Sequence, residues 1–155
     1  MMHVEKVRVT KSFTFDMAHA LFGYNGPCKN IHGHTYHLFV TVLGEVDQDP
    51  TSPQQGLVMD FSDLKKIVRS EVVNDFDHTL VLNQQAPYAT NNVALDQFEK
   101  VIRLPFQPSC ENLMLFFKNK IKKNLPENIS LVNIKLVETP TSFAEWNSFD
   151  NLNNN

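Results

Sequence analysis

The sequence has little cysteine, no excess of positive charge and no long apolar run. Only two of its 155 residues are cysteines, too few for a disulfide framework, so a reducing cytoplasm is the expected compartment. Lys and Arg number 14 against 17 Asp and Glu, a formal net charge of −3, which argues against a nucleic-acid-binding protein. The N-terminus shows no signal-like apolar segment and no stretch approaches a membrane span, so we expect no membrane partner.

The length and composition indicate one domain covering residues 1–155. The hydrophobic fraction of 42% and the charged fraction of 20% are ordinary for a globular protein that buries a sizeable core. We expect the two ends, about 1–6 and 149–155, to be flexible tails.

Two stretches near the N-terminus have the period-two pattern of half-buried strands. In residues 7–19 the odd positions are mostly apolar, and His19 ends the strand on that apolar side. Residues 32–43 place His32 and His34 on one face, because side chains in a strand alternate between faces. About a dozen residues join the strands, which favours an antiparallel pair that brings His19 beside the other two histidines.

The remainder of the chain predicts two helices and a second strand pair. In chain order, the expected elements are a helix from the N-cap Asp60 to near Asp75, a loop over 84–108 with a minor strand at 101–106, a helix after the N-cap Ser109, and strands at 129–138 and 142–147. The resulting order is ββααββ in a single α+β domain.

The three histidines are candidate ligands of one metal ion. His19, His32 and His34 without a carboxylate or thiolate ligand favour zinc with an open fourth position, as in catalytic sites. Cys28 is the alternative fourth ligand, which would give a closed structural site. Lys29 beside it favours the thiolate, which is the reactive form, so Cys28 is also a candidate base.

Four further residues could serve acid–base chemistry or bind substrate. Asp77 and His78 form an adjacent acid–histidine pair, which is a weak indication because such pairs are common. Glu138 ends an apolar strand face, where an unpaired carboxylate is costly and a partner or ligand is expected. Ser109 offers a hydroxyl at a helix N-terminus. The residues alone indicate a zinc-dependent acid–base enzyme.

Six short motifs follow one another in a fixed order across roughly residues 8–147. They are Phe15-Asp-Met-Ala-His19, Cys28-x-x-x-His32-Gly-His34-x-Tyr36, Gly56-x-Val-x-Asp60-Phe61, Asp77-His78, Pro108-Ser-Cys-Glu111-Asn112 and Glu138-Thr139. The series resembles the 6-pyruvoyl-tetrahydropterin synthase / 6-carboxy-tetrahydropterin synthase family. Chance agreement of the whole ordered set is improbable, although Asp-His or Glu-Thr alone would mean nothing.

This resemblance implies the tunnelling fold, a four-stranded antiparallel sheet with two helices on one face. It also implies a homohexamer built as a dimer of trimers, with active sites at the subunit interfaces. The implied substrate is 7,8-dihydroneopterin triphosphate, a small-molecule pterin triphosphate. The implied cofactor is Zn²⁺, bound by His19, His32 and His34 and holding the hydroxyls of the substrate side chain.

The resemblance assigns roles to the other site residues. Cys28 would be the proton acceptor, with Asp77 and His78 as the relay that tunes and reprotonates it. Glu138 would anchor the pterin ring and share in proton relay. Ser109 stands where the family usually has a substrate-contacting Thr.

The short Cys-x-x-x-His-Gly-His spacing resembles the 6-carboxy-tetrahydropterin synthases of queuosine (7-deazaguanine) biosynthesis. The expected reaction therefore gives 6-carboxy-5,6,7,8-tetrahydropterin, acetaldehyde and triphosphate. One alternative is elimination of triphosphate alone, as in a 6-pyruvoyl-tetrahydropterin synthase, and another is a non-catalytic pterin-binding zinc protein. Two departures from the family are Ser109 in place of Thr and a longer stretch between Asn83 and Pro108. Cys110 is interpreted as a packing residue.

Overall fold

Within residues 4–152, which the computed structural model describes, six strands form one sheet in the order β4-β3-β1-β2-β5-β6. The strands are β1 (Lys6–Ala20), β2 (His32–Glu45), β3 (Thr79–Asn83), β4 (Val101–Leu104), β5 (Ser130–Thr139) and β6 (Ser142–Asn147). The predicted strands at 7–19 and 32–43 are confirmed and are slightly longer than expected.

Four of the strands form the antiparallel sheet that the sequence predicts, because β1 pairs with β2, β2 with β5, and β5 with β6 in antiparallel fashion. The predicted four-stranded sheet in ββααββ order is incomplete, because the sheet has six strands. The minor strand expected at 101–106 is present as β4, whereas β3 was not predicted. The short strand β3 pairs parallel to β1, and β4 pairs parallel to β3. The sheet is therefore mixed, and the segment between the two long helices supplies its extra edge.

Two long helical segments pack on the sheet. The first begins as α1 (Phe61–Val68), continues through a π-helical stretch (Arg69–Val73) and ends as α2 (Asn74–Phe76). The second is α3 (Cys110–Lys122). Asp60 and Ser109 cap them as predicted, since each side chain accepts a backbone N–H of the following turn.

The helices and the sheet share one apolar core. Leu64 and Phe117 from the helices pack in the same cluster as Phe15 and Leu38 from β1 and β2, and each is at most 2% exposed. Burial of each such side chain contributes about 1.5–3 kcal/mol to folding. The core fixes the strand register, and thereby the positions of the side chains just beyond it.

A second, smaller cluster lies under the segment between β3 and β4. It consists of Ala20, Leu82, Ala86, Ala89 and Leu95. None of the helices in the described part of the chain is long and apolar enough to cross a membrane. Of the expected tails, residues 1–3 and 153–155 lie outside the described residues, while Lys6 begins β1 and a 3-10 helix spans Ser148–Asn151.

Candidate active site

Three histidines meet where β1 and β2 extend past the core. The antiparallel register places His19 directly opposite His32, and His34 follows two residues later on the same face. The ring centroids of His19 lie 4.6 Å from His32 and 5.4 Å from His34, and those of His32 and His34 are 5.0 Å apart. One ligand nitrogen from each lies within 4.8 Å of the others, as the sequence predicts.

Hydrogen bonds to backbone carbonyls set the tautomers of two of these rings. His19 Nδ1 donates to Pro108 O at 2.7 Å, and His32 Nδ1 donates to Asn30 O at 2.7 Å. A carbonyl only accepts, so these bonds set the tautomer and leave both Nε2 lone pairs available, which is the usual support of a metal-ligating histidine. Burial lowers the pKa of His19 by more than its bond to Pro108 O raises it. The lowered pKa favours the neutral imidazole, which is the form that binds a metal.

His34 supplies independent support for a metal. Its Nε2 is buried and has no hydrogen-bond partner among residues 4–152. An unsatisfied buried nitrogen is costly, and coordination of a cation would satisfy it. Three histidine nitrogen donors with an open position match the donor set of a catalytic divalent metal such as zinc. The residues present therefore fit a metal ion.

Glu138 lies beside the histidines at an irregularity in the sheet. The pairing of β5 with β6 shifts between Val137 and Thr139, so Glu138 occupies a β-bulge, a feature that re-aims side chains near functional sites. Its carboxylate oxygens are 3.8 Å from His19 Nε2 and 3.9 Å from His34 Nε2. The carboxylate expected at the end of this strand thus faces the metal site.

A cavity of about 150 Å³ brings several predicted residues together. Its lining includes His19, Cys28, Ser109 and Glu138. Cys28 lies on a short 3-10 helix (Pro27–Lys29) between β1 and β2. Cys110 also lines this cavity. Burial, and then the charge of Glu138, raise the pKa of its thiol to about 11, so the thiol stays protonated at neutral pH.

Asp77 and His78 lie elsewhere in the chain. His78 lines a larger groove of about 920 Å³, together with residues of β1 and β2 that include His34 and with the segment before β4, whereas Asp77 is not among the residues that line it. The groove shares no lining residue with the Cys28 cavity in the part of the chain that the structure describes. One chain alone therefore does not bring the pair to Cys28.

The Asp77–His78 pair is nevertheless held firmly. Asp77 Oδ1 accepts the Asp16 N–H and lies 3.0 Å from His78 Nδ1, while the His78 N–H donates to Asp16 O. Partial burial raises the pKa of Asp77, but these partners lower it by more, so the net pKa is below the ordinary value. His78 has a positive φ of 58°, a conformation that such contacts must maintain.

Two supporting residues were not assigned roles from the sequence. Tyr36 is completely buried and donates from its hydroxyl to Glu138 Oε2 at 3.2 Å. Its position in phase with His34 could have indicated this. Lys100 donates to Asn74 O and Asp77 O, a contact that depends on the irregular segment before β4 and has no sequence pattern.

Comparison with known proteins gives consistent matches over almost the whole chain. The family model described as 6-pyruvoyl tetrahydropterin synthase matches residues 8–148. A Haemophilus influenzae protein named 6-carboxy-5,6,7,8-tetrahydropterin synthase is 37% identical over 90% of this chain and 97% of its own length. A Rickettsia bellii protein of the same name is 32% identical over 90% of this chain and 99% of its own length.

A solved structure extends the match to the fold. The 6-pyruvoyl tetrahydropterin synthase of Caenorhabditis elegans superposes with a TM-score of 0.66 at 25% identity, over 95% of this chain and 99% of that one.

Proposed function

The chain belongs to the 6-pyruvoyl tetrahydropterin synthase family, and from that premise we propose that it is a 6-carboxy-tetrahydropterin synthase. The reaction would convert 7,8-dihydroneopterin triphosphate and water into 6-carboxy-5,6,7,8-tetrahydropterin, acetaldehyde and triphosphate. The observation that carries the proposal is the group of three histidines beside a cavity lined by Cys28 and Glu138. The names of the relatives favour the carboxy product over the pyruvoyl product.

The metal in this proposal is zinc. His19, His32 and His34 would hold it, with Nδ1 of the first two rings anchored on backbone carbonyls. When bound, zinc supplies Lewis-acid stabilisation of the oxygens on the substrate side chain. Each of the three side chains would contribute one nitrogen, and the backbone bonds fix the orientation of the His19 and His32 rings.

Cys28 is the proposed base. Its side chain shares the cavity with His19 and Glu138, so a substrate side chain held at the histidines lies within reach of its sulfur. Sγ would accept the proton that leaves a side-chain carbon. Removing a proton from carbon near neutral pH requires such a positioned base together with stabilisation of the charge that develops.

Glu138 and Ser109 are the proposed ring contacts. The Glu138 carboxylate accepts hydrogen bonds from ring N–H groups, and Tyr36 donates to one of its oxygens and so restrains it. Ser109 Oγ already accepts the N–H of Asn112 as a helix cap. Its own O–H remains available to donate to the pterin.

The relay of Asp77 and His78 is proposed to come from a neighbouring copy in a homohexamer, a dimer of trimers. Three observations support this arrangement. Neither residue of the pair lines the Cys28 cavity within one chain, and the His78 side chain is 76% exposed. The cavity of about 150 Å³ is also smaller than the roughly 300–1,000 Å³ of ordinary ligand sites. A neighbouring surface would both enlarge the cavity and add the relay.

Product analysis tests the proposed reaction. Purified protein with zinc is incubated with 7,8-dihydroneopterin triphosphate, and pterins and aldehydes are identified by mass spectrometry. The expected products are 6-carboxy-tetrahydropterin and acetaldehyde in equal amounts. Accumulation of a 6-pyruvoyl pterin without acetaldehyde would instead assign the triphosphate-eliminating reaction. Pterin binding with no turnover would assign a non-catalytic role.

A further inference from the structure

Gln107 forms a paired hydrogen bond with the backbone of a single residue in the β1–β2 connection. Its Nε2 donates to Phe22 O at 2.6 Å, and its Oε1 accepts the Phe22 N–H at 3.0 Å. The side-chain amide thus pairs with Phe22 as a neighbouring strand would. An amide is the group that offers a donor and an acceptor side by side in this spacing.

Phe22 lies in the connection that carries Cys28. That connection is irregular and mostly exposed, and it turns back on itself through a bond from Leu21 N–H to Cys28 O at 2.9 Å. Phe22, which Gln107 bonds, is therefore next in sequence to Leu21, whose N–H donates to the Cys28 carbonyl. A restraint on Phe22 is transmitted to Cys28 through one peptide unit and one hydrogen bond.

The other end of Gln107 is fixed to the metal-site scaffold. Its carbonyl accepts from Ser109 N–H at 2.8 Å and from Asn112 Nδ2 at 3.0 Å, at the start of α3. The next residue, Pro108, provides the carbonyl that orients His19. Gln107 therefore connects the backbone that positions a metal ligand with the loop that positions the thiol.

We propose that Gln107 is a positioning residue for Cys28, setting the place of the thiol relative to the three histidines. Gln107 does not line the cavity in the described part of the chain, so it acts through Phe22 and Leu21 rather than on the substrate. The inference rests on the proposed function for the role of Cys28 as base. The restraint of the Cys28 loop itself stands on the hydrogen bonds.

The test is Gln107→Glu, which preserves length and shape but removes the donor to Phe22 O and places an oxygen against it. Gln55→Glu is the matched control, because it makes the same charge change at an exposed loop residue that lines neither cavity. For both proteins one measures zinc content, kcat and KM, and the rate at which iodoacetamide alkylates Cys28, resolved by peptide mass mapping. Cys110, whose thiol stays protonated, is the slow internal reference.

The expected result for Gln107→Glu is unchanged zinc content with Cys28 alkylated roughly 5- to 10-fold faster, the factor that loss of one net hydrogen bond allows. We expect kcat to fall by roughly 10- to 100-fold, since misplacing a reacting group costs that much, while KM changes little. Gln55→Glu should match the wild type in every measurement. An unchanged Cys28 alkylation rate and an unchanged kcat would overturn the proposal.

Hydrogen exchange of the wild type decides the matter if Gln107→Glu does not fold. The Phe22 amide should be protected relative to that of Gly23, since its acceptor is Gln107 Oε1. Equal exchange at the two amides would refute the restraint. If the wild type shows no turnover of 7,8-dihydroneopterin triphosphate, the proposed function fails, while alkylation and exchange still decide on Gln107.

Discussion

Tyr36 donates its buried hydroxyl to Glu138 Oε2 at 3.2 Å, and the same hydroxyl lies 3.4 Å from His19 Nε2. Burial, and then the neighbouring Glu138 charge, raise the pKa of Tyr36, so the phenol remains a donor at every pH of interest. The carboxylate that faces the metal site is thus oriented from the core side of the sheet. Stability and ring binding should both depend on this contact.

Tyr36→Phe removes the hydroxyl and keeps the ring that stacks on Phe15. We expect a loss of about 1 kcal/mol in unfolding free energy, because the bond to Glu138 is lost, and a higher KM for the pterin as the carboxylate loses its restraint. Tyr88→Phe is the matched control, since the buried Tyr88 hydroxyl has no partner among residues 4–152. Urea unfolding and steady-state kinetics measure both variants, and equal losses in the two would contradict this role of Tyr36.

His34→Ala should abolish stable metal binding. It removes one of three nitrogen donors, so we expect zinc affinity to fall by more than about 100-fold. Loss of a residue that only hydrogen-bonds to a metal ligand already lowers metal affinity by about 10- to 100-fold. His37→Ala is the control, because His37 lies on the same strand but is exposed and contacts Thr14 on the other face. Metal analysis after dialysis measures both, and zinc retained by His34→Ala would exclude His34 as a ligand.

The histidine cluster was predictable from the sequence because it depends on strand periodicity and on the short connection between two strands. An alternation over 7–19 and another over 32–43 fix which side chains share a face, and a short connection favours the antiparallel pair. The apolar faces meeting the core exclude a one-residue slip of this pairing, and the observed register places His19 opposite His32. The caps Asp60 and Ser109 were predictable for a similar reason, since their contacts are local.

The features that the sequence did not predict depend on long-range pairing. Strand β3 is short and directly follows His78, so its parallel pairing with β1 has no periodic pattern to indicate it. The bonds of Gln107 to Phe22 span a wide separation along the chain. The placement of His78 and Cys28 on separate cavities likewise follows from the folded sheet and not from their motifs.

Cys28→Ala and Cys110→Ala should separate the two thiols of the cavity. Cys28→Ala should bind zinc and pterin normally but lose roughly 100- to 10,000-fold in kcat, the usual contribution of a general base. Cys110→Ala should lose far less, because its thiol stays protonated and donates to Leu136 O. Single-turnover assays with zinc content checked distinguish them, and wild-type turnover by Cys28→Ala would refute the base assignment.

Asp77→Asn should change stability in a pH-dependent way. The folded pKa of Asp77 lies below its ordinary value of 3.8, so its ionised form stabilises the fold above that pH. This contribution is lost as the pH falls through the folded pKa. Urea unfolding across this range should show wild type more stable than Asp77→Asn at neutral pH and the two converging in acid. A difference that is constant with pH would contradict the shift.

Mixed assemblies test whether the relay comes from a neighbouring copy. Cys28→Ala and His78→Ala should each be nearly inactive alone, since each lacks one partner of the proton transfer. If a site takes Cys28 from one copy and His78 from another, random mixing leaves about one quarter of sites with both residues intact. Dissociating the two variants, reassembling them together and assaying the mixture should therefore recover about a quarter of wild-type activity.

The control for this recovery is a mixture of Cys28→Ala with a protein carrying both Cys28→Ala and His78→Ala. No site in that mixture contains an intact thiol, so it should stay inactive, although it assembles identically. Native mass spectrometry verifies that hybrids form in both mixtures. Hybrids without recovered activity in the first mixture would refute the shared site. Asp77 and His78 would then serve the stability of their own chain, held by Asp16 and Lys100.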